Sequence, residues 1–353
     1  MQRFCRHNRF VERCPICRET VPGLAPPEKV AGNGGRRTEK RATAGTRAGA
    51  SAAQRKPRRG RGAPTLRVRQ ERRAEDDGYR SELAPGLRSS LDAERLAQEI
   101  AFADGRLMAI RTAPPDLYGE MRELEDLEQA SWMGFLAAYL CPLEGPDPFL
   151  GVRRALQADW RAGELPDLSE IPLGPRSSHD PARGEETLLA YLQWKEHSDA
   201  QAGAASGASG GASAAAGAAF VGDPGWTPTR RFERLFERLT LPGLGRMGRY
   251  DLLVTLGRIG LYELSTDSLF LGAARGGAGG DLTSLAAKRL FGIGELQHLE
   301  RRAQALAREM SVPVEALDLA FANWGAGERA TVGAPPEVLD QHALDRARAA
   351  LEL

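Results

Sequence analysis

An all-α fold is predicted by three observations. Convincing period-two alternation is nearly absent, apolar residues recur at helical spacing, and Pro- and Gly-rich breaks separate the periodic stretches. The first helix is expected in "SSLDAERLAQEIAFADGRL", with Asp92 as its cap and Leu96, Ile100 and Phe102 on its apolar side. A second, from about Leu124 to Leu140, carries Trp132, Phe135, Leu136 and Tyr139 as a core stripe and ends at Pro142. "PFLGVRRALQADWRAGEL" and "EETLLAYLQWKEHSDA" read as two further amphipathic helices. "TPTRRFERLFERLTLPGLGRMGRYDLLVTLGRIG" reads as two helices broken by one glycine-rich turn. A Gly-rich loop around residues 276–280 then precedes the helical run from "DLTSLAAKRLFG" to "LDLAFANWG".

The domain plan follows composition. Residues 1–22 hold a cysteine cluster, and 23–85 form a basic linker that lacks the large apolar residues needed to fold alone. Residues 86–335 form the helical body, interrupted by the Ala/Gly/Ser insertion 199–220, and 336–353 form a terminal helix. The formal net charge of +1 over 353 residues hides a concentration of Arg and Lys near the N-terminus. No apolar run is long enough to cross a membrane and no signal-peptide pattern opens the chain. With Cys141 alone outside the N-terminal cluster, no disulfide framework is available, and a cytoplasmic protein is expected, nucleoid-associated if it binds DNA.

"FCRHNRFVERCPIC" brings Cys5, His7, Cys14 and Cys17 together. The Cys14–Cys17 pair forms a chelating knuckle, and Cys5 and His7 complete four N/S donors, the set for a closed, structural zinc site. Within the basic linker, "KPRRGRGAP" resembles an AT-hook. There Gly60 would let Arg59 and Arg61 lie in a narrow A·T minor groove. The plainer reading is a solvated linker.

"FERLTLPGLGRMGRYDLLVTL" carries the strongest pointer to DNA. Gly243 and Gly245 would let a phosphate approach the backbone at the start of a new helix, where N–H groups and the dipole favour an anion. Leu244 would plug the turn, and Arg246 and Arg249 would add charged contacts. An ordinary interhelical turn is the alternative.

The LPGxG turn resembles the helix-hairpin-helix of the DNA glycosylase superfamily, and Asp281 in "GGDLTSLAAKRLFG" looks like that superfamily's downstream catalytic aspartate. Met247 stands where bifunctional members place a lysine, and the turn-to-aspartate spacing is longer. Taken in order, "FCRHNRFVERCPIC", "EDLEQASWMGFLAAYL", "LPGLGRMGRYDLL" and "AKRLFGIGELQHLERRAQALA…LDLAFANW" resemble the alpha-glutamyl/putrescinyl thymine pyrophosphorylase family, clade 3.

That resemblance implies a helix-hairpin-helix, glycosylase-like body and DNA base hypermodification. Pyrophosphate would be displaced from an activated hydroxymethyl-pyrimidine by an amine or amino-acid co-substrate. Arg246, Arg249, Lys288 and Arg289 are candidates for holding phosphate, and Asp251, Asp281 or Glu128 for taking the amine's proton. Trp132 or Trp324 could hold a flipped base. Each has a plainer role: helix-dipole partner for Asp251, solvated residue for Glu128, core residue for the tryptophans. A DNA-binding protein without chemistry and a base-excising glycosylase are the alternative functions.

Overall fold

The computed structural model describes residues 74–205, 218–273, 281–335 and 337–353. Cys5, His7, Cys14, Cys17, Arg59 and Arg61 lie outside the described residues, as do the centre of the Ala/Gly/Ser insertion and the Gly-rich loop before Asp281. Among the described residues the regular structure is helical, with no strand.

Helix α1, Ser90–Thr112, is capped by Ser89, whose hydroxyl accepts from the Leu91 N–H at 3.2 Å. Asp92, the expected cap, instead sits in the first turn, where a carboxylate suits the helix dipole. Helix α2, Leu117–Glu123, leads into α3, Leu127–Leu140. The latter starts later than expected because Asp126 accepts from the Glu128 and Gln129 N–H groups, both at 3.1 Å, and so fixes the first turn. Every residue of α3 from Ala130 onward is buried. It crosses α8 (Arg246–Arg258) at Gly134, where an added Cβ would lie 2.9 Å from Leu256 Cδ2 and 3.0 Å from Met121 Cε. Only a glycine permits that approach without repacking.

The single helix expected from "PFLGVRRALQADWRAGEL" is two pieces. Helix α4 spans only Leu150–Ala155, and a 3₁₀ turn, Trp160–Ala162, follows. Asp159 captures the N–H groups of Arg161 and Ala162 at 3.1 and 3.2 Å, which starts the new turn.

Helix α5, Gly184–Ala205, runs into the Ala/Gly/Ser segment, and the short α6, Ala218–Val221, emerges from it. Phe220 of α6 is buried against Trp194 and Tyr262, so ordered structure enters both ends of the expected insertion. Helix α7, Pro228–Arg238, uses Thr227 as cap and proline at its first position.

Helices α9 (Leu282–Phe291), α10 (Leu296–Glu309) and α11 (Val314–Ala326) follow, and α12 (Gln341–Ala350) closes the chain. Helix α1 packs on both α11 and α12, and α9 packs on α11. Ala343, Ala347 and Leu351 are fully buried, so the terminal helix is part of the body. Contacts of α8 with both α3 and α1 join the two halves.

Candidate functional site

Helix α7 ends at Arg238, and the chain turns through Leu241–Gly245 before α8 begins at Arg246. Gly243 has φ of +74°, and an added Cβ would lie 2.3 Å from Thr187 Oγ1. Both the left-handed backbone and α5 therefore require glycine there. Leu244 is buried and plugs the turn, as expected. Gly245 is different. It is exposed, its backbone is extended, and a Cβ would meet nothing within 4 Å. No side chain caps the start of α8, although Gly248 in its first turn is buried against Ser178, where an added Cβ would lie 2.6 Å from the hydroxyl oxygen.

The two arginines that follow point inward. Arg249 Nη1 donates to the Phe236 carbonyl and to Thr240 Oγ1, both at 2.9 Å, and the guanidinium lies over the Phe236 ring. It ties the end of α7 to α8. Arg246 is 3% exposed and reaches three acceptors: Asp281 Oδ2 through Nε at 2.6 Å, the Leu269 carbonyl at 2.8 Å, and Asp318 Oδ1 at 2.6 Å.

From Asp318 the chain of charges continues. Its other oxygen accepts from Arg176 Nη2 at 2.7 Å, and the same Nη2 reaches Asp251 Oδ2 at 3.2 Å. The result is an interior series, Asp281–Arg246–Asp318–Arg176–Asp251, linking the α7–α8 turn to the caps and faces of α9 and α11. Asp281 completes it by capping α9, with Oδ1 accepting from the Ser284 N–H at 2.8 Å.

The two inner carboxylates titrate in opposite directions. Burial raises Asp318, but Arg246 and then Arg176 outweigh it and hold the group below the usual aspartate range. Asp251 has Arg176 alone as its hydrogen-bonding guanidinium. Burial dominates there, and the nearby Asp318 adds to it, so its carboxyl is pushed up. A narrow cavity beside it is lined by Arg106, Tyr250, Asp251, Glu315 and Asp318. Arg106 Nη2 and Arg176 Nη1 are buried without a hydrogen-bond partner.

The remaining expected site residues fall elsewhere. Glu128 accepts from Lys195 Nζ at 2.7 Å, and Arg161 lies 3.7 Å from its other oxygen. Trp132 is 1% exposed within a cluster with Phe135, Trp160 and Tyr191. Trp324 donates to the Asp92 carbonyl at 2.9 Å and lies beneath the Arg289 guanidinium. Neither indole presents a free face. Lys288 is exposed on α9.

Arg176 and Asp318 join the expected residues Arg246, Asp251 and Asp281, and the sequence reading missed both. Asp318 left a trace, being the one carboxylate in the largely apolar "ALDLAFANW"; Arg176, in the loop "LGPRSS", left none. Among the described residues no group of three or more His, Cys, Asp or Glu could hold a metal, and no helix is long and apolar enough to cross a membrane. Burial pushes the Cys141 thiol up to about 12, which keeps it protonated and unreactive.

No curated protein and no solved structure matches the chain. Residues 208–330, from the α5–α6 segment through α11, match the model of the family described as alpha-glutamyl/putrescinyl thymine pyrophosphorylase clade 3, the family that the sequence motifs resemble.

Proposed function

We propose that the chain modifies thymine-derived bases in DNA, using a helix-hairpin-helix, glycosylase-like body. The observation that carries this reading is the family match, which spans the α7–α8 turn, Asp281 and Asp318. In the reaction, an amine nitrogen bonds to the exocyclic carbon of an activated hydroxymethyl-pyrimidine. The carbon–oxygen bond to pyrophosphate breaks, pyrophosphate leaves with the electron pair, and a proton passes from the amine to a carboxylate.

The uncapped start of α8 and exposed Gly245 suit a DNA phosphate, and Lys288 adds an exposed cation. Buried Arg246 and Arg249 hold the turn in position and do not themselves reach solvent. Of the three candidate bases, Asp251 fits proton removal best. Arg176 holds both of its oxygens, but only at 3.2–3.3 Å, and it lines a cavity with its carboxyl pushed up; Asp281 is held by Arg246 at 2.6 Å and caps α9, and Glu128 is paired with Lys195 at 2.7 Å. Cys5, His7, Cys14 and Cys17 have the donor set for a structural zinc ion, and Arg59 and Arg61 would extend the DNA contact.

DNA binding without catalysis is the second reading. It is favoured by the ion pairing of every candidate carboxylate and by the narrowness of the cavity beside Asp251. The deciding experiment incubates the protein with DNA containing pyrophosphorylated hydroxymethyluracil and a panel of amines, followed by mass spectrometry of the nucleosides. An aminated nucleoside supports the first reading, DNA binding with no product supports the second, and released free base assigns a glycosylase. Gly245→Val should weaken DNA binding roughly tenfold at low salt, the loss of one or two backbone–phosphate contacts, with little change in fold. Unchanged binding would remove the turn from the interface.

A further inference from the structure

A second charged seam lies at the other end of α8. Asp104, Leu107, Met108 and Arg111 occupy one face of α1 and border a cleft of about 530 Å³. Arg258 at the end of α8 and Asp340, His342 and Arg346 around the start of α12 complete its charged lining. Its volume falls within the range of small-molecule sites. Helix α8 has 13 residues, so the cleft and the α7–α8 turn are separated by about 20 Å along its axis.

The charges in this cleft are incompletely matched. Asp104 is 9% exposed and accepts no hydrogen bond from the described residues. Its nearest cation, Arg346 Nη2, stands 3.8 Å away, while Arg346 Nε is committed to the Met310 carbonyl at 3.0 Å. Asp340 spends one oxygen on the Ala343 N–H at 3.0 Å. Burial and then Asp340 push the Asp104 carboxyl up, against the opposing pull of Arg346 and Arg258. Arg258 is paired with Glu315 at 3.2 Å, but Arg111 has no ion-pair partner among the described residues. It lies seven residues beyond Asp104, about 10 Å along α1.

We propose that this cleft binds a small amino-carboxylate, its ammonium held by Asp104 and Asp340 and its carboxylate by Arg111. A compact ammonium with three donors fits Asp104, which accepts no hydrogen bond from the described residues, and the second oxygen of Asp340, and the exposed Arg111 guanidinium fits the opposite charge. A simple anion would face both aspartates, and a simple cation would face the three arginines, Arg111, Arg258 and Arg346. Leu107 forms a wall of both this cleft and the cavity beside Asp251. The identification of the ligand as the amine co-substrate rests on the proposed reaction, whereas its binding does not.

Titration calorimetry on the full chain without DNA tests the site, using 5-aminopentanoate, pentylamine and pentanoate. The expected order of affinity is 5-aminopentanoate, then pentylamine, then pentanoate. Asp104→Asn should weaken both amines by roughly tenfold or more, and Arg111→Ala should weaken only 5-aminopentanoate. Unaltered circular dichroism would show both variants folded. Equal binding of pentanoate and 5-aminopentanoate, or unchanged affinity in folded Asp104→Asn, would overturn the proposal. Amine binding without any aminated nucleoside would leave the cleft standing and remove the proposed reaction. An aminated nucleoside formed by Asp104→Asn with an unchanged amine KM would remove the cleft as the co-substrate site.

Discussion

The interior ion series and the α1–α12 cleft are built from the same residue types, aspartate and arginine, yet they differ in closure. In the interior, Asp318 meets two guanidiniums at 2.6 and 2.7 Å, and the cavity alongside is narrow. In the cleft, the Asp104 carboxylate stands 3.8 Å from its arginine, and Arg111 has no ion pair among the described residues. The difference teaches that a charged cluster is informative about ligands only where its pairing is incomplete. Close ion pairs in a low-dielectric interior fix the positions of helices, while longer and looser ones beside open volume leave charges for another molecule.

The hardest test of that contrast is Asp318→Ala. It strips two buried arginines of a shared partner and should lower unfolding stability by about 3–5 kcal/mol, measured by urea denaturation. A loss below about 1 kcal/mol would mean the interior series is as loosely held as the cleft.

The pH dependence should divide the two regions next. The folded Asp318 group titrates below its ordinary value of 3.8, so its contribution is present above that pH and is lost as pH falls through the folded value. Asp104 titrates above 3.8, so the folded protein binds the extra proton and stability falls as pH rises from there through its folded value. Asp318→Asn should therefore flatten the acid loss, and Asp104→Asn the opposite slope, in stability measured between acid and neutral pH. Parallel slopes in the two variants would erase the distinction.

The smallest effect is expected for Arg111→Ala. With no pair to lose, it should change stability by no more than about 0.5 kcal/mol in the same denaturation series. A larger loss would show that Arg111 already serves the fold.

Much of the helical plan was legible in the sequence because helix formation leaves local marks. Trp132, Phe135, Leu136 and Tyr139 predicted the buried stripe of α3, and Leu244 predicted the plug of the α7–α8 turn. Boundaries were less legible where two polar residues compete to cap, as with Ser89 and Asp92, or where Asp159 starts a new turn within an apparently continuous amphipathic stretch. The site was harder. A basic residue after a glycine turn reads the same whether it faces phosphate or a buried aspartate, and Arg246 and Arg249 took the inward option. Asp251 and Asp281 were visible as carboxylates, but their connection through Arg176 and Asp318 spans up to 142 residues of sequence.

The all-helical class, the presence of a glycine turn plugged by Leu244, and the resemblance supported over residues 208–330 came from the sequence alone. These rest on spacing, backbone conformation and motif order, which short stretches of chain encode. Only the tertiary structure decided which charges are paired and which remain available. Pairing depends on distances of a few ångströms between residues from different helices, and the desolvation that makes it matter exists only once those helices pack.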